Sequence, residues 1–249
     1  MHSVSFDLQE HLEENHAGSK AKYIKNIVYG GLDGIITTFS IIAAAFGASL
    51  EMKTIITMVV ANLVADGISM GLGDYISSSS ENKYILSEKE KEEHEYEVNH
   101  DYEKEELVEL FTNDGLEKED STKIVDILAS KIEYKPIFIK HMLQLELGLD
   151  IPDNNPAKEG LVTFTSFIIF GFVPVFFYIM FYVGKYDNNN TIFGIIYLIS
   201  GITMFGLGAM NAYITKQKWL RGGLMMMSNG LLAATCALGI GFGIEKMLD

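Results

Sequence analysis

The chain of 249 residues is 48% hydrophobic and carries a formal charge of −14 at neutral pH. A mean hydropathy of +0.17 beside that charge does not suit an ordinary soluble domain, and so large a negative excess speaks against a nucleic-acid partner. The average hides two chemical territories: residues 81–120 hold sixteen Asp and Glu against five Lys, a local balance of −11, whereas 160–183, 191–214 and 222–244 hold no charge at all.

Residues 1–26 read as a polar segment, and 1–22 lack the basic start and short apolar core of a cleaved signal peptide. A bilayer core about 30 Å thick needs roughly 20 mostly apolar residues in helical form. Five stretches meet that length, at 27–50, 54–78, 160–183, 191–214 and 222–245. The last three are uncharged over more than twenty residues, and in lipid only helices and closed barrels satisfy their own backbone. The first two are less apolar because they contain Asp33, Asp66 and Asp74. The single cysteine, Cys236, lies in an apolar run and has no partner for an intrachain disulfide.

The predicted fold is an all-α polytopic membrane protein with five transmembrane helices and a three-helix metal-binding insert between the second and third spans. Its divisions are a polar segment at 1–26, helices 1 and 2 in 27–80, the acidic insert at 81–157 and helices 3 to 5 in 158–249. Short loops on the side of the N-terminus hold Lys20, Lys22, Lys25, Lys216, Lys218 and Arg221, against Lys53, Lys185 and Lys246 on the other. The positive-inside rule then places the N-terminus, the insert and the 215–221 loop in the cytosol. Within the insert, 81–112 reads as a charged helix broken near Asn99–Asp101, 117–132 as a second, and 136–149 as a third with Pro136 in its first turn and Gly148 near its end. Asp114–Gly115 marks a turn, and Pro152 and Pro156 a stiff linker back to the membrane.

Ionisable groups inside a span are costly and face a bundle interior, a cavity or a partner. Asp33 is flanked by Gly30, Gly31 and Gly34, small residues that admit a second helix closely. In the second span Asn62, Asp66, Met70 and Asp74 recur every four residues and so share one stripe of the helix. Carboxylate and amide oxygens suit many divalent ions, and a thioether adds preference for softer transition metals. In the insert, Glu92 and Glu95 are spaced i, i+3, as are Glu103 and Glu106. Each pair converges on one helix face, where like charges repel unless a cation lies between them. Met142 and Glu146 offer a thioether and another carboxylate on the third helix. His94 and His100 lie nearby and read as surface residues. The pattern Gly239, Gly241, Gly243 sits in an uncharged span with no preceding strand and reads as helix packing, and no Walker sequence is present.

Three segments, in order, resemble the vacuolar iron transporter family over nearly the whole chain. They are Tyr29-Gly30-Gly31-Leu32-Asp33-Gly34, Ile68-Ser69-Met70-Gly71-Leu72-Gly73-Asp74-Tyr75, and Leu145-Glu146-Leu147-Gly148-Leu149. His11, Glu14 and His16 echo the family's polar N-terminal stretch. The resemblance implies a homodimer with the path at its interface, and export of ferrous iron from the cytosol into an acidic vacuole-like compartment in exchange for protons. By the same resemblance Asp33 and Met70 form a membrane metal site, and Glu92, Glu95, Glu103, Glu106, Met142 and Glu146 a cytosolic one. Two positions depart from the family. Asn62, which can coordinate but carries no proton, stands where many relatives have a membrane glutamate, and Asp66, one turn closer to Met70, is the candidate to take over that role, with Asp33 the other coupling group and Asn62 and Asp74 auxiliaries. Leu143 stands where some plant relatives have a second methionine.

No tightly bound cofactor is expected; the species moved are Fe2+, with Mn2+, Co2+ and Zn2+ as alternatives, and H+. Other readings stay open at this point. One is a manganese or broad-range divalent transporter of the same mechanism. A second is a membrane-tethered carboxylate di-iron oxidase or storage protein, for which Glu97 and His100 supply a single Glu-x-x-His pair. A third is a calcium-sensing insert, which would want six to eight oxygen ligands.

Overall fold

The computed structural model describes residues 23–186 and 188–248, and among them there are helices and turns but no strand. His11, Glu14 and His16 lie outside the described residues. Five helices are long and apolar enough to cross a membrane: α1 (Ile24–Gly47), α2 (Met52–Val98), α6 (Pro156–Val183), α7 (Asn189–Ile214) and α8 (Trp219–Leu248). Between α2 and α6 come α3 (His100–Asn113), α4 (Lys118–Ala129), a 3-10 turn (Ile132–Tyr134) and α5 (Lys135–Leu145). Residues Ile76–Pro156 form one compact unit and the rest of the described chain another.

Two expected boundaries move, each for a local reason. The second span and the first insert helix are one helix of 47 residues: no Gly or Pro interrupts the run Ser77–Ser80, and its serines stay helical although Ser78 and Glu81 have capping-box spacing. Pro156 belongs to α6 as its first residue rather than to a linker; its missing N–H would have no helical partner there, and its fixed φ suits a first turn. The insert accordingly holds the end of α2 and α3, parted at the expected break near Asn99–Asp101, followed by α4 and α5.

In the membrane unit, Ile35, Phe39 and Ile42 of α1, Phe167 of α6 and Ile196 and Met204 of α7 are wholly buried and share one apolar core. The glycines let helices meet at their backbones. A Cβ on Gly34 would meet the Phe167 backbone, with the carbonyl carbon at 3.0 Å, and one on Gly160 would run into the backbone of Gly71 and the Tyr75 side chain. Thus α6 lies against α1 at one glycine contact and against α2 at the other. Of the Gly239, Gly241 and Gly243 series only Gly241 packs closely, against Ala44, while the other two face open space. Three membrane helices end with a non-glycine residue in the left-handed region, Ser49, Lys185 and Lys216. In each case the following N–H reaches back five residues, Leu50 to Ala45, Tyr186 to Phe181 and Gln217 to Ala212, closing the helix end.

The insert has a small core of its own, with Leu107, Val125, Phe138, Met142 and Leu143 fully buried beside Tyr96. The apolar face that begins at Leu107 and continues through Leu110 and Phe111 is the one α3 turns inward. Gly115, at φ +107, makes the turn after α3, and Gly148, at φ +65, ends the α5 segment where the Leu149 N–H donates to the Leu143 carbonyl at 2.9 Å.

Because the obstruction at Gly34 is backbone, no rotamer change relieves it. Gly34→Val is expected to lower stability by about 1–3 kcal/mol, the usual cost of overpacking. Thermal unfolding in detergent measures this, and Gly239→Val, pointing into open space, is the control that leaves the melting temperature in place.

Candidate metal centre

The carboxylates of the insert meet because of a one-residue break. α2 ends at Val98, and Asn99 departs from helical geometry at φ −127, ψ 41. The Asn99 N–H still donates to the Glu95 carbonyl at 2.8 Å, while its own carbonyl accepts from the N–H groups of Tyr102 and Glu103 at 2.9 and 3.1 Å. The chain thus bends at one residue that keeps backbone hydrogen bonds to both helices, and the first turn of α3 brings Glu103 to the last turns of α2. Oxygens of Glu92, Glu95 and Glu103 come within 4.8 Å of one another.

Glu92 and Glu103 are only 5% and 3% exposed, so their charges cannot be dismissed as a solvated helix face. Glu92 Oε2 is one of two buried side-chain polar atoms among the described residues that lack a hydrogen-bond partner, the other being Ser200 Oγ. The neighbouring lysines are spent elsewhere. Lys89, Lys91, Lys104, Lys123 and Lys135 pair with Glu93, Glu88, Asp126, Glu119 and Asp120, and Glu97. Among the described residues, no ion pair takes Glu92, Glu95, Glu103, Glu106 or Glu146. Burial, then the charges of Glu146, Glu103, Glu95 and Glu106, push Glu92 up to about 7. Burial and then Glu106, Glu95 and Glu146 push Glu103 up to about 7 as well. Glu146 is raised by burial and then by Glu106, Glu95 and Glu88.

All five carboxylates therefore act on one another, with three in direct proximity. Glu146 lies just past α5 as its C-terminal cap and donates its N–H to the Met142 carbonyl at 2.9 Å. Met142 is wholly buried in the insert's apolar core. His94 is exposed, and His100 stands edge-on to the Tyr96 ring at 4.5 Å. Glu97, the acid of the Glu-x-x-His pair, is held by Lys135 at 2.6 Å.

The membrane carboxylates are arranged differently, each beside a neutral donor. Thr37 Oγ1 donates to Asp33 Oδ1 at 3.4 Å one turn along α1. Asn62 Nδ2 donates to Asp66 Oδ2 at 2.6 Å one turn along α2. Asp33 and Asp66 are close enough for their charges to interact across the two helices. Met70 is half-buried at the edge of the membrane core. Asp74 is committed to holding helices together: its Oδ2 accepts from Asn26 Nδ2 of α1 at 2.6 Å and from Thr163 Oγ1 of α6 at 2.5 Å. The same Asn26 amide also reaches Thr163 Oγ1 at 3.1 Å. Asn26 and Thr163 went unnoticed in the sequence, where neither spacing nor charge distinguishes them from other small polar residues in a span.

The insert's carboxylates fit a divalent cation, and the fit has a measurable sign. Glu92 and Glu103 keep their protons in the folded protein up to about pH 7, whereas in the unfolded chain they lose them near the ordinary glutamate value of 4.5. The folded state binds more protons across that window, so metal-free stability falls as pH rises from 4.5 through about 7 and then levels off. In chelator the melting temperature of the full chain is expected to decline over that range. Adding a divalent cation at pH 7 reverses the decline and releases protons, which calorimetry in buffers of different ionisation heat counts. Glu92→Gln is expected to weaken binding by more than the roughly 10–100-fold loss typical of removing an outer-shell partner.

Comparison with known proteins identifies the family. The model of the VIT family matches residues 24–242. The chain is 36% identical over 246 residues to a vacuolar iron transporter of Toxoplasma gondii, covering 95% of this chain and 80% of that one. It is 33% identical over 253 residues to one of Plasmodium falciparum, covering 100% and 91%. With vacuolar iron transporter 1 of Arabidopsis thaliana the identity is 24% over 231 residues, covering 92% and 89%. With five membrane-crossing helices and a family match over nearly its whole length, this chain is an integral membrane protein that belongs to the VIT family.

Proposed function

We propose that this protein carries ferrous iron from the cytosol into an acidic vacuole-like compartment in exchange for protons, as a secondary active transporter. The observation that carries the reading is the carboxylate group of the insert, where Glu92, Glu95 and Glu103 lie within 4.8 Å and no lysine among the described residues neutralises them. Held together without a counter-ion, such a group favours a divalent cation and competes for it with protons near neutral pH. The relatives named vacuolar iron transporter supply iron as the cargo and the vacuole as the destination.

Five spans put the N-terminus, the insert and the 215–221 turn on one side, and the excess of basic residues in the short loops there makes that side the cytosol. The acidic insert raises the local concentration of cations through its field. In the membrane, Asp33 and Met70 hold the ion, with a second copy of the chain contributing the same pair. Asn62 coordinates but carries no proton. Its amide donates to Asp66, which keeps that carboxylate on the stripe shared with Met70. Protons arriving from the acidic side at Asp33 or Asp66 weaken coordination and release the ion, since one carboxylate cannot hold both tightly.

A manganese or broader divalent cargo is the second reading. The grouped ligands are all carboxylates, which suit manganese as well as iron, and Met142 is embedded in the apolar core. The di-iron oxidase loses ground because Glu97 is tied to Lys135.

Proteoliposomes with ferrous iron outside and an acidic lumen test the proposal. Iron uptake is expected to collapse the proton gradient. Asp33→Asn should reduce flux to background while the protein still folds, whereas Asp66→Asn should retain metal binding and lose the pH response. Iron uptake in the Asp33 variant driven by pH as in the parent protein would overturn the mechanism, and a preference for manganese in competition would decide for the second reading.

A further inference from the structure

The turn between α7 and α8 concentrates what the rest of the chain lacks. Arg221 is the sole arginine and Trp219 the sole tryptophan in the sequence, and Lys216 and Lys218 stand beside them in a protein of net charge −14. All three cations are exposed. The ion pairs found among the described residues involve other lysines, so none of the three is neutralised there. Trp219 is fixed edge-on against Phe205 of α7, with ring centroids at 6.2 Å.

Below this cluster runs an apolar groove of about 580 Å³ lined by Lys218, Leu220, Arg221, Leu224, Met225 and Met227. It lies along the first turns of a helix that crosses the membrane, and Met225 is 72% exposed on it. A groove with such a floor on a lipid-facing helix meets acyl chains. Its rim carries two cations, and the free N–H groups of the first turn of α8 add further positive potential. Tryptophan at such a helix end sits at headgroup level. The guanidinium offers a planar fork for a phosphate, and lysine stems reach along apolar surface to place their ammonium at the interface.

We infer that this groove binds an anionic phospholipid of the leaflet at this end of α8, with its phosphate between Lys218 and Arg221, Lys216 adding charge, and an acyl chain along Leu224 and Met225. The groove shares no residue with the metal centre and does not depend on which ion is carried. A soluble phosphate would gain nothing from the apolar floor, so a membrane lipid is the occupant that uses both halves of the groove.

The test uses the full chain in nanodiscs of phosphatidylcholine with increasing phosphatidylserine, reading phosphatidylserine retained on extraction and the melting temperature. The parent protein is expected to retain phosphatidylserine and to gain stability with its content. Replacing Lys216, Lys218 and Arg221 together by Gln should cut retention by about fivefold for each charge removed, from roughly 1 kcal/mol per basic residue near an anionic surface. Leu224→Trp, which fills the groove and leaves every charge, should also reduce it, and Arg221→Lys should retain part of it. Equal retention by the parent and the triple variant would overturn the inference. So would a lipid preference that appears only when residues 1–22 are removed, since their acidic groups would then be the occupant. Lipid-independent dissociation of oligomers in the triple variant would assign the groove to a second copy instead.

Discussion

Like charge brought together without a counter-ion is the constraint on which the insert is built. At separations of a few ångströms two carboxylates repel by about 1 kcal/mol even with the full screening of water, and by more where water is partly excluded. A helical unit of modest size accepts that cost when something else offsets it. Two outcomes are available to it, a proton or a cation. The burial of Glu92 and Glu103 makes both available near neutral pH, so the residues proposed to bind the metal also register the proton concentration around them.

The membrane half meets the cost of its acids by another route. There each aspartate receives a neutral hydrogen-bond donor rather than a second charge: Thr37 for Asp33, Asn62 for Asp66, Asn26 and Thr163 for Asp74. A neutral donor holds a carboxylate's orientation without cancelling its charge, so cation binding remains open to it. Asp74 differs from the other two because its partners come from two other helices. It ties α1, α2 and α6 together in the same part of the bundle where Gly30 lies against Thr163 and Gly71 against Gly160. Backbone contact and polar bond reinforce one another there, as expected where apolar burial gives helices little reason to associate.

Much of this was legible in the sequence, and the exceptions have physical reasons. The spans were plain because apolar length is a one-dimensional property, and Asn99 and Gly115 were legible as breaks because their chemistry is local. The i, i+3 spacing of Glu92 and Glu95 showed that they share a face. It did not show that Glu103, on the next helix, turns back onto that face, since this depends on the backbone angles at Asn99. The continuity of α2 was hidden because its apolar stretch gives way at Ser77–Ser80 to four serines and then to a highly charged run from Glu81, and a change of environment reads like a boundary. The role of Asp74 was hidden because its partners lie 48 and 89 residues away. Which lysines the acids take is likewise a tertiary matter, and it separates Glu97, which pairs with Lys135, from Glu95, which takes no ion pair among the described residues.

The break at Asn99 also bears on how the protein is made. Glu92 and Glu103 are eleven residues apart along the chain, so their approach closes a short loop through contacts of low sequence separation, the kind that form quickly. The core that shuts water away from them is completed only by Phe138 and Met142 of α5, some forty residues later in synthesis. Early in translation the trio is an arrangement of ordinary, solvated acids. The raised proton affinity of Glu92 and Glu103 depends on burial, so it waits for α5 to dock, and the emerging polypeptide acquires its ligand geometry before it acquires its chemistry.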